Sequence, residues 1–522
     1  MVTPEWHRRI FIFGLITLAG GMLFGAVPTS IPQGILVANW LLEKNYNWKW
    51  QQLKNNKIFW ILSFFFLYHV LGLLYTENIN RGLEDIKTKL PFLVLPTILF
   101  STKPLSKNEF YLVLKFFIVG VLISSICCYM VYLGFTNKQI VDIRQASVFI
   151  SHIRFSIIIV FAIFSLIYLS IKETNNTIRF VAFGIIIWLL FFMYKLEMAT
   201  GIMCLLISAT VLLIYFVYTK INKTVSVVVT VVIVGVSIYS IKIMQNEMTT
   251  FAPIKTNSAN VLLDKTANGR NYFQDTLFGL AENGNLIAIN INEEELTREW
   301  ERRSRILFNG IDNKGNSLRY TLIRYMASKG LRKDSTGVVS LTQNDIKNIE
   351  NGNTNYKYNN TSGLIARWRE LVWEYISYKR GENPSGHTLT MRLEFWKTGL
   401  YVAKQNLFFG VGTGDVQIEY NKAYEETNTK LNKEWRLRCH NQYLAILVAF
   451  GVIGLLFFMV YLFYPAFLLK QNLHVLFYPF LLLILLSFIT EDTLETQTGA
   501  TFFAAWYTLF LWLASFKEER KL

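Results

Sequence analysis

Arg438-Cys439-His440-Asn441-Gln442-Tyr443 runs directly into Leu444-Ala445-Ile446-Leu447-Val448-Ala449-Phe450-Gly451-Val452-Ile453-Gly454-Leu455. A polar cluster thus opens an apolar run long enough to enter a bilayer, and it sets an imidazole at the membrane surface. The rest of the chain repeats the apolar theme. Of 522 residues, 52% are hydrophobic and only 17% charged, mean hydropathy is +0.31, and the apolar residues come in blocks. This is the profile of an all-α polytopic membrane protein. About twelve runs have the length a bilayer-spanning helix needs, at 9–26, 28–43, 57–75, 89–101, 109–134, 152–171, 178–195, 199–218, 223–244, 441–469, 474–490 and 499–516. Two of them carry breakers: Pro32 and Gly34 in the second, Pro91 and Pro96 in the short fourth. Either could be kinked or re-entrant.

The distribution of Lys and Arg in short loops orients such a chain. His7-Arg8-Arg9, Lys44, Lys49, Lys54, Lys57, Lys103, Lys107, Lys172, Lys220, Lys223, Lys470 and the tail Lys517 to Lys521 fall on one side, which is read as the cytoplasm. The termini are expected there. The opposite side receives the loop at Val27-Pro28, the acidic turn Glu491-Asp492-Thr493-Leu494-Glu495, and one large segment before the third span from the end. Arg81, Lys87 and Lys89 oppose this scheme. The expected organisation is a membrane bundle of about nine spans over 1–244, a large extracytoplasmic loop over 245–440, and a bundle of about three spans over 441–522. No cleavage site follows the first apolar run, which reads as an uncleaved anchor. Cys127, Cys128, Cys204 and Cys439 have neither disulfide-framework nor zinc spacing.

The formal charge of +16 is concentrated partly in the large loop, at Arg302-Arg303-Ser304-Arg305, Arg319, Arg324, Arg332-Lys333, Arg367, Arg369, Lys379-Arg380, Arg392, Arg436 and Arg438. Such a surface suits anionic membrane lipids or a phosphate-bearing lipid substrate, and no nucleic-acid partner is expected. Within the loop, helical patterns cover Glu293 to Leu307 and Leu318 to Ser328, and Thr342-Gln343-Asn344-Asp345 reads as a capping box. Two further amphipathic patterns, Leu364 to Tyr378 and Leu389 to Lys404, flank the breaker cluster Gly381-Glu382-Asn383-Pro384-Ser385-Gly386. In the second, Arg392 and Lys404 are expected to face outward.

Three motifs follow in order: Arg392-x-x-x-Trp396, Gly410-Val411-Gly412-Thr413-Gly414-Asp415, and His440-Asn441-x-Tyr443-Leu444. In this order, before the third span from the end, they resemble the signature of the O-antigen ligase family. The resemblance implies a GT-C-like glycosyltransferase that takes a glycan from undecaprenyl-diphosphate and joins it to a hydroxyl outside the bacterial cytoplasmic (inner) membrane. An attacking hydroxyl must lose a proton, and His, with an ordinary pKa of about 6.5, suits that task. His440 is the candidate general base. The departing diphosphate needs a fixed cation, a role assigned to Arg392. Asn441, Tyr443, Trp396, Gly412 and Gly414 are substrate-binding candidates, although the glycines first suit a tight turn.

The chain departs from the family at Met198-Ala199-Thr200-Gly201, where a Ser-Arg-x-Gly is usual. The second arginine is missing there. Lys195 would share a face with Ala199 if that turn were helical, and Arg154 and Arg144 are the other candidates. No cofactor or metal is expected, and the acidic turn at Glu491, Asp492 and Glu495 reads as a solvated interfacial turn. The acceptor is a lipid A core (ligase), a growing repeat unit (polymerase) or a protein Ser/Thr (O-oligosaccharyltransferase); a glycolipid flippase is the reading from a different class.

Overall fold

The computed structural model describes residues 3–138, 140, 142–220, 251, 258–358 and 364–516, with isolated positions 235, 239, 242 and 245. The run expected at 223–244 lies outside the described residues. The chain is mostly helical and divides into two compact units. One comprises 1–138, 146–215 and 391–522, and the other 139–145 and 216–390. The segment from 391 to 440, read from sequence as part of the large loop, thus folds with the first unit.

The first unit begins with α1 (Pro4–Gly21), α2 (Ala26–Leu42), α3 (Tyr46–Lys54), α4 (Lys57–Leu71), α5 (Ile79–Lys89), α6 (Pro91–Phe100), α7 (Lys107–Tyr132), α8 (His152–Lys172), α9 (Asn176–Lys195) and α10 (Ala199–Lys220). Local chemistry sets their starts. Ser106 and Glu109 form a reciprocal capping box on α7, Ser151 caps α8, and Asn78 caps α5. Seven helices among the described residues are long and apolar enough to cross a membrane: Pro4–Phe24, Lys57–Tyr75, Lys107–Tyr132, His152–Lys172, Asn176–Lys195, Ala199–Thr219 and Gln442–Leu468. The chain is a multi-pass membrane protein.

Two of the expected runs carry helices shorter than a full span, for physical reasons. Pro91 begins α6 and the helix ends at Phe100, so it rises only about 15 Å, half of a bilayer core. α2 has 17 residues with Pro32 inside. The residues just before α6 form an amphipathic helix, α5, whose last residue Lys89 is fully buried.

The second unit contains α11 (Glu293–Glu301), α12 (Leu318–Ser328), α13 (Ser335–Val339), α14 (Gln343–Glu350), α15 (Leu364–Lys379) and a two-stranded antiparallel hairpin, Ala281–Glu282 with Asn285–Leu286. Asn283 and Gly284 turn that hairpin with positive φ of 50° and 85°, a backbone that Asn-Gly adopts readily. Trp300, Leu322, Tyr325, Met326, Ile346 and Trp373 anchor its core. The expected capping box is present, with Thr342 and Asp345 bonding reciprocally. Arg324 is buried between the Glu282 carboxylate, 2.8 Å away, and the face of Trp373. Burial pushes Lys333 down to about 7 while its Nζ donates to the Leu286 carbonyl at 2.8 Å.

The helix α16 (Thr388–Gln405) leads into the remaining elements, α17 (Val416–Glu426), α18 (Gln442–Leu468), α19 (Phe477–Thr490) and α20 (Gln497–Ser515). α20 is buried along almost its whole length and packs on Phe92 of α6, Phe161 of α8 and Phe480 of α19 through Phe502, Phe503, Trp506 and Phe510. Pro465 deprives α18 of one amide, and the Tyr507 hydroxyl donates at 2.9 Å to the Tyr461 carbonyl that this amide would have reached.

α18 is broken at Gly451, whose φ of 66° and ψ of −167° lie outside the helical region. The break exposes backbone groups inside an apolar segment, and they must be satisfied by protein. Val411 N donates to Val448 O, Gly412 N to Ala449 O, and Val452 N to Leu407 O, at 2.8–3.0 Å. A Cβ on Gly410 would stand 2.3 Å from Ala449 and Phe450 backbone atoms, and one on Gly451 2.2 Å from Phe408 backbone atoms. Two glycines therefore let two backbones touch. Gly451→Ala is expected to destabilise the protein by about 3 kcal/mol or more, whereas Gly34→Ala, with open space around it, should be neutral or slightly stabilising. Thermal unfolding of the detergent-solubilised chain checks both.

Candidate functional site

His440 sits one residue before the cap of α18, with φ of 45°, a left-handed conformation that is uncommon outside Gly, Asn and Asp. Asn441 fixes it from the other side. Its Oδ1 caps the helix by accepting from Leu444 N, and its Nδ2 donates to the Ile489 carbonyl, each at 3.0 Å. The chain thus leaves Cys439, which is fully buried, turns sharply, and presents a half-exposed imidazole at the start of the span. His440 Nδ1 is buried and lies 3.5 Å from Asp492 Oδ1, longer than a formed hydrogen bond.

The acidic turn between α19 and α20 was expected to be solvated, and it is not. Glu491 and Asp492 are each only 5% exposed. Carboxylates can be buried here because cations converge on them. Arg154, in the first turn of α8, places Nη2 3.2 Å from Glu491 and 3.6 Å from Asp492. Arg392 of α16 places Nη2 3.5 Å from the other oxygen of Glu491. Arg392 thus points into the protein and not outward as its helix pattern suggested. Phe395, one turn further along the same face, sets its ring 5.7 Å from that of His440. Burial raises the Glu491 carboxyl above its ordinary range, and Arg154 pulls the other way without cancelling it.

The far end of the turn is held by a second set of cations. Glu495 is 2.9 Å from Lys89 Nζ and 3.7 Å from Arg438, and accepts from Gln442 Nε2 at 3.0 Å; Gln442 in turn accepts from Leu494 N. Lys89 also reaches Asp85 at 3.1 Å. Burial alone would raise Glu495, but Lys89 and Arg438 overcome it and hold the carboxyl well below its ordinary range. Asp85 goes the other way: burial pushes it up to about 6 against the pull of Lys89.

The structure thus brings together His440, Arg392 and Arg154. Lys195 stands apart, exposed at the end of α9 with its Nζ over the Phe191 ring. The helical turn that would have aligned it with Ala199 does not form, because the chain breaks between α9 and α10 with Glu197 at φ 53°. Arg144 belongs to the second unit, where it pairs with Asp142. Tyr443 donates to the Leu485 carbonyl at 3.1 Å, and Trp396 packs in the cluster around Tyr420 and Leu444, its indole N–H buried without an acceptor. The glycines act through backbone approach. Gly412 N is engaged by Ala449, Gly414 N donates to Thr76 Oγ1 at 3.2 Å, and Asp415 accepts from the amides of Glu77 and Asn78, both at 2.8 Å. Glu491, Asp492, Glu495 and Lys89 are the members that sequence reasoning set aside. The basic residues on the unexpected side were the available signal, since a buried Lys requires a carboxylate.

The ligand atoms of His440, Glu491 and Asp492 lie within 4.8 Å of one another, a donor set that could hold a metal ion. Both carboxylates already face guanidinium groups at 3.2–3.6 Å. A divalent cation would have to enter beside two fixed positive charges, so the set suits an anion next to the arginines better than a metal between the acids. Arg154 Nε is buried without an acceptor, a donor that such an anion would satisfy.

Arg154→Ala should remove the cation that most opposes the burial of Glu491. A carboxyl whose folded pKa is raised favours the folded state while protonated, so its contribution declines as pH rises through that value. The variant's unfolding temperature is therefore expected to fall more steeply than that of the unsubstituted protein as pH rises above the ordinary carboxylate range, with Arg154→Lys intermediate; melting curves from acid to neutral pH check it.

No curated protein matches this chain. The O-antigen ligase family model matches residues 336–459, which contain Arg392, the Gly410 to Asp415 turn, His440 and the break in α18. That family comprises membrane glycosyltransferases of the ligase and polymerase type. With the motif residues gathered at the end of a membrane bundle, this segment of the chain is similar to the O-antigen ligase family.

Proposed function

We propose that the protein transfers a glycan from undecaprenyl-diphosphate to an acceptor hydroxyl on the extracytoplasmic side of the bacterial cytoplasmic membrane, as an O-antigen ligase acting on a lipid A core. The observation that carries this is the convergence of one imidazole and two guanidiniums on a buried acidic turn at one end of the helices. His440 takes the acceptor proton as the hydroxyl oxygen bonds to the anomeric carbon, and Asp492 orients the imidazole once the site is filled; catalytic hydrogen bonds are often long before substrate binds. The carbon–oxygen bond to phosphate breaks, and the electron pair leaves on the lipid diphosphate. Arg392 and Arg154 receive that charge, helped by the positive N-terminal end of α8.

Orientation follows from the opposite end of the helices. Lys172 closes α8 at the end opposite Arg154, and Lys470 follows the end of α18 opposite His440, which supports a cytoplasmic assignment for that face. The exceptions Arg81 and Lys89 pair with Glu84, Asp85 and Glu495. Polymerase and protein O-oligosaccharyltransferase activities use the same chemistry and differ in the acceptor.

Glycan transfer in membranes from a purified lipid-diphosphate oligosaccharide tests the reading. His440→Ala is expected to lower turnover by about 10²–10⁴-fold with donor binding retained, and Arg392→Ala by about 10²-fold with weakened donor binding. Full activity in His440→Ala would overturn the general-base role. Activity should persist in excess chelator, since guanidinium groups occupy the place of a metal; loss of activity restored by a divalent ion would reverse that assignment.

A further inference from the structure

A cavity of about 110 Å³ opens at the other end of the acidic turn, and the transfer chemistry does not use it. α5 contributes Arg81, Asp85 and Thr88, α17 contributes Gln417, and Arg438 and Glu495 complete the polar wall. A slot of about 20 Å³ shares Asp85, Arg438 and Glu495 with it and reaches Cys439 and Asp492. Asp492 is the carboxylate 3.5 Å from the His440 imidazole. Since about 10–15 Å³ of such space holds one water, the cavity takes the several waters that a sugar ring would displace, and the slot takes a single hydroxyl-sized group.

Charge selects among ligands. The cavity's guanidiniums are matched by carboxylates: Arg81 lies 2.8 Å from Glu84, and Arg438 3.7 Å from Glu495, with Asp85 in addition. Glu84, Asp85 and Glu495 already engage Arg81, Arg438 and Lys89, so no cation is left over for a phosphate, in contrast to the other end of the turn, where Arg154 Nε is buried without an acceptor. What remains is a set of planar groups and a hydroxyl that donate and accept in pairs, the complement of vicinal hydroxyls on a neutral ring.

The geometry points to an acceptor subsite: a neutral hexose ring of the acceptor is held by Arg81, Thr88 and Gln417, and its reactive hydroxyl is directed through the slot toward His440. The acidic turn then separates two substrates, with the donor diphosphate at Glu491 and the acceptor ring at Glu495. This rests on the proposed transfer reaction and deepens it, because it selects a glycan hydroxyl over a protein Ser/Thr as the nucleophile. The balance of the step is unchanged: the acceptor O–H proton goes to the imidazole, the new bond joins that oxygen to the anomeric carbon, and the lipid diphosphate departs.

Two measurements on the full-length protein in nanodiscs test the subsite. Saturation-transfer NMR uses the methyl α-glycosides of glucose, galactose and mannose as probes, on the unsubstituted chain, Gln417→Ala and Thr88→Val. At least one hexoside should receive saturation from the unsubstituted chain and lose most of it in Gln417→Ala. In turnover with lipid A core as acceptor, Gln417→Ala should raise the acceptor KM by about tenfold with donor KM unchanged, and Thr88→Val should do so more weakly. Equal saturation transfer in all three proteins, absence of transfer to every hexoside, or an unchanged acceptor KM would overturn the subsite. Hexoside binding without any glycan transfer would instead sink the transferase reading and leave the subsite standing, so the two failures are distinguishable.

Discussion

Buried carboxylates survive only where cations meet them, and the turn from Glu491 to Glu495 meets this condition at both ends. Arg154 and Arg392 face the first residue, Lys89 and Arg438 the last. These cations come from α5, α8, α16 and the approach to α18, so the turn ties four segments to one point. Removing one partner from such a network leaves an uncompensated charge, which costs more than the net worth of the pair. The placement of His440 depends on the same turn, because Asn441 bonds to Ile489 at its start and Gln442 to Glu495 and Leu494 at its end.

The second constraint is steric. The Gly410 to Asp415 segment lies against α18 on one side and against the end of α4 on the other, where Thr413 Oγ1 donates to the His69 carbonyl at 2.7 Å. Such close approach leaves no room for side chains at Gly410 and Gly451. The glycines thus fix the distance between the broken span and the helix bearing Arg392, and the break places backbone polar groups at membrane depth only where protein satisfies them.

The membrane class, most spans and the three motif groups were legible in the sequence because hydropathy and local spacing are sufficient to reveal them. The Thr342 capping box and the helix over Leu318 to Ser328 were equally legible, being local signals. What escaped were features that join distant positions. The acidic turn looked solvated because Glu491, Asp492 and Glu495 have no cation nearby in sequence; their partners are 99, 337 and 406 residues away for Arg392, Arg154 and Lys89. Arg392 looked outward-facing because a charged residue on an amphipathic helix is usually solvated. The run at 89–101 carries a helix of only ten residues, α6, because Pro91 opens it. Lys195 seemed able to replace a missing arginine only under a helical continuation that Glu197 interrupts.

Those separations also set an order of events during synthesis. Glu495 emerges 406 residues after Lys89, which at about 5–20 residues per second is a delay of about 20–80 s. Through that interval, Lys89 has Asp85 on its own helix, whereas Arg154 waits for the acids that will bury it. The charges gathered at the acidic turn are therefore neutralised last, when the helical hairpin of α19 and α20 enters the bundle, and the nascent bundle must tolerate them until then.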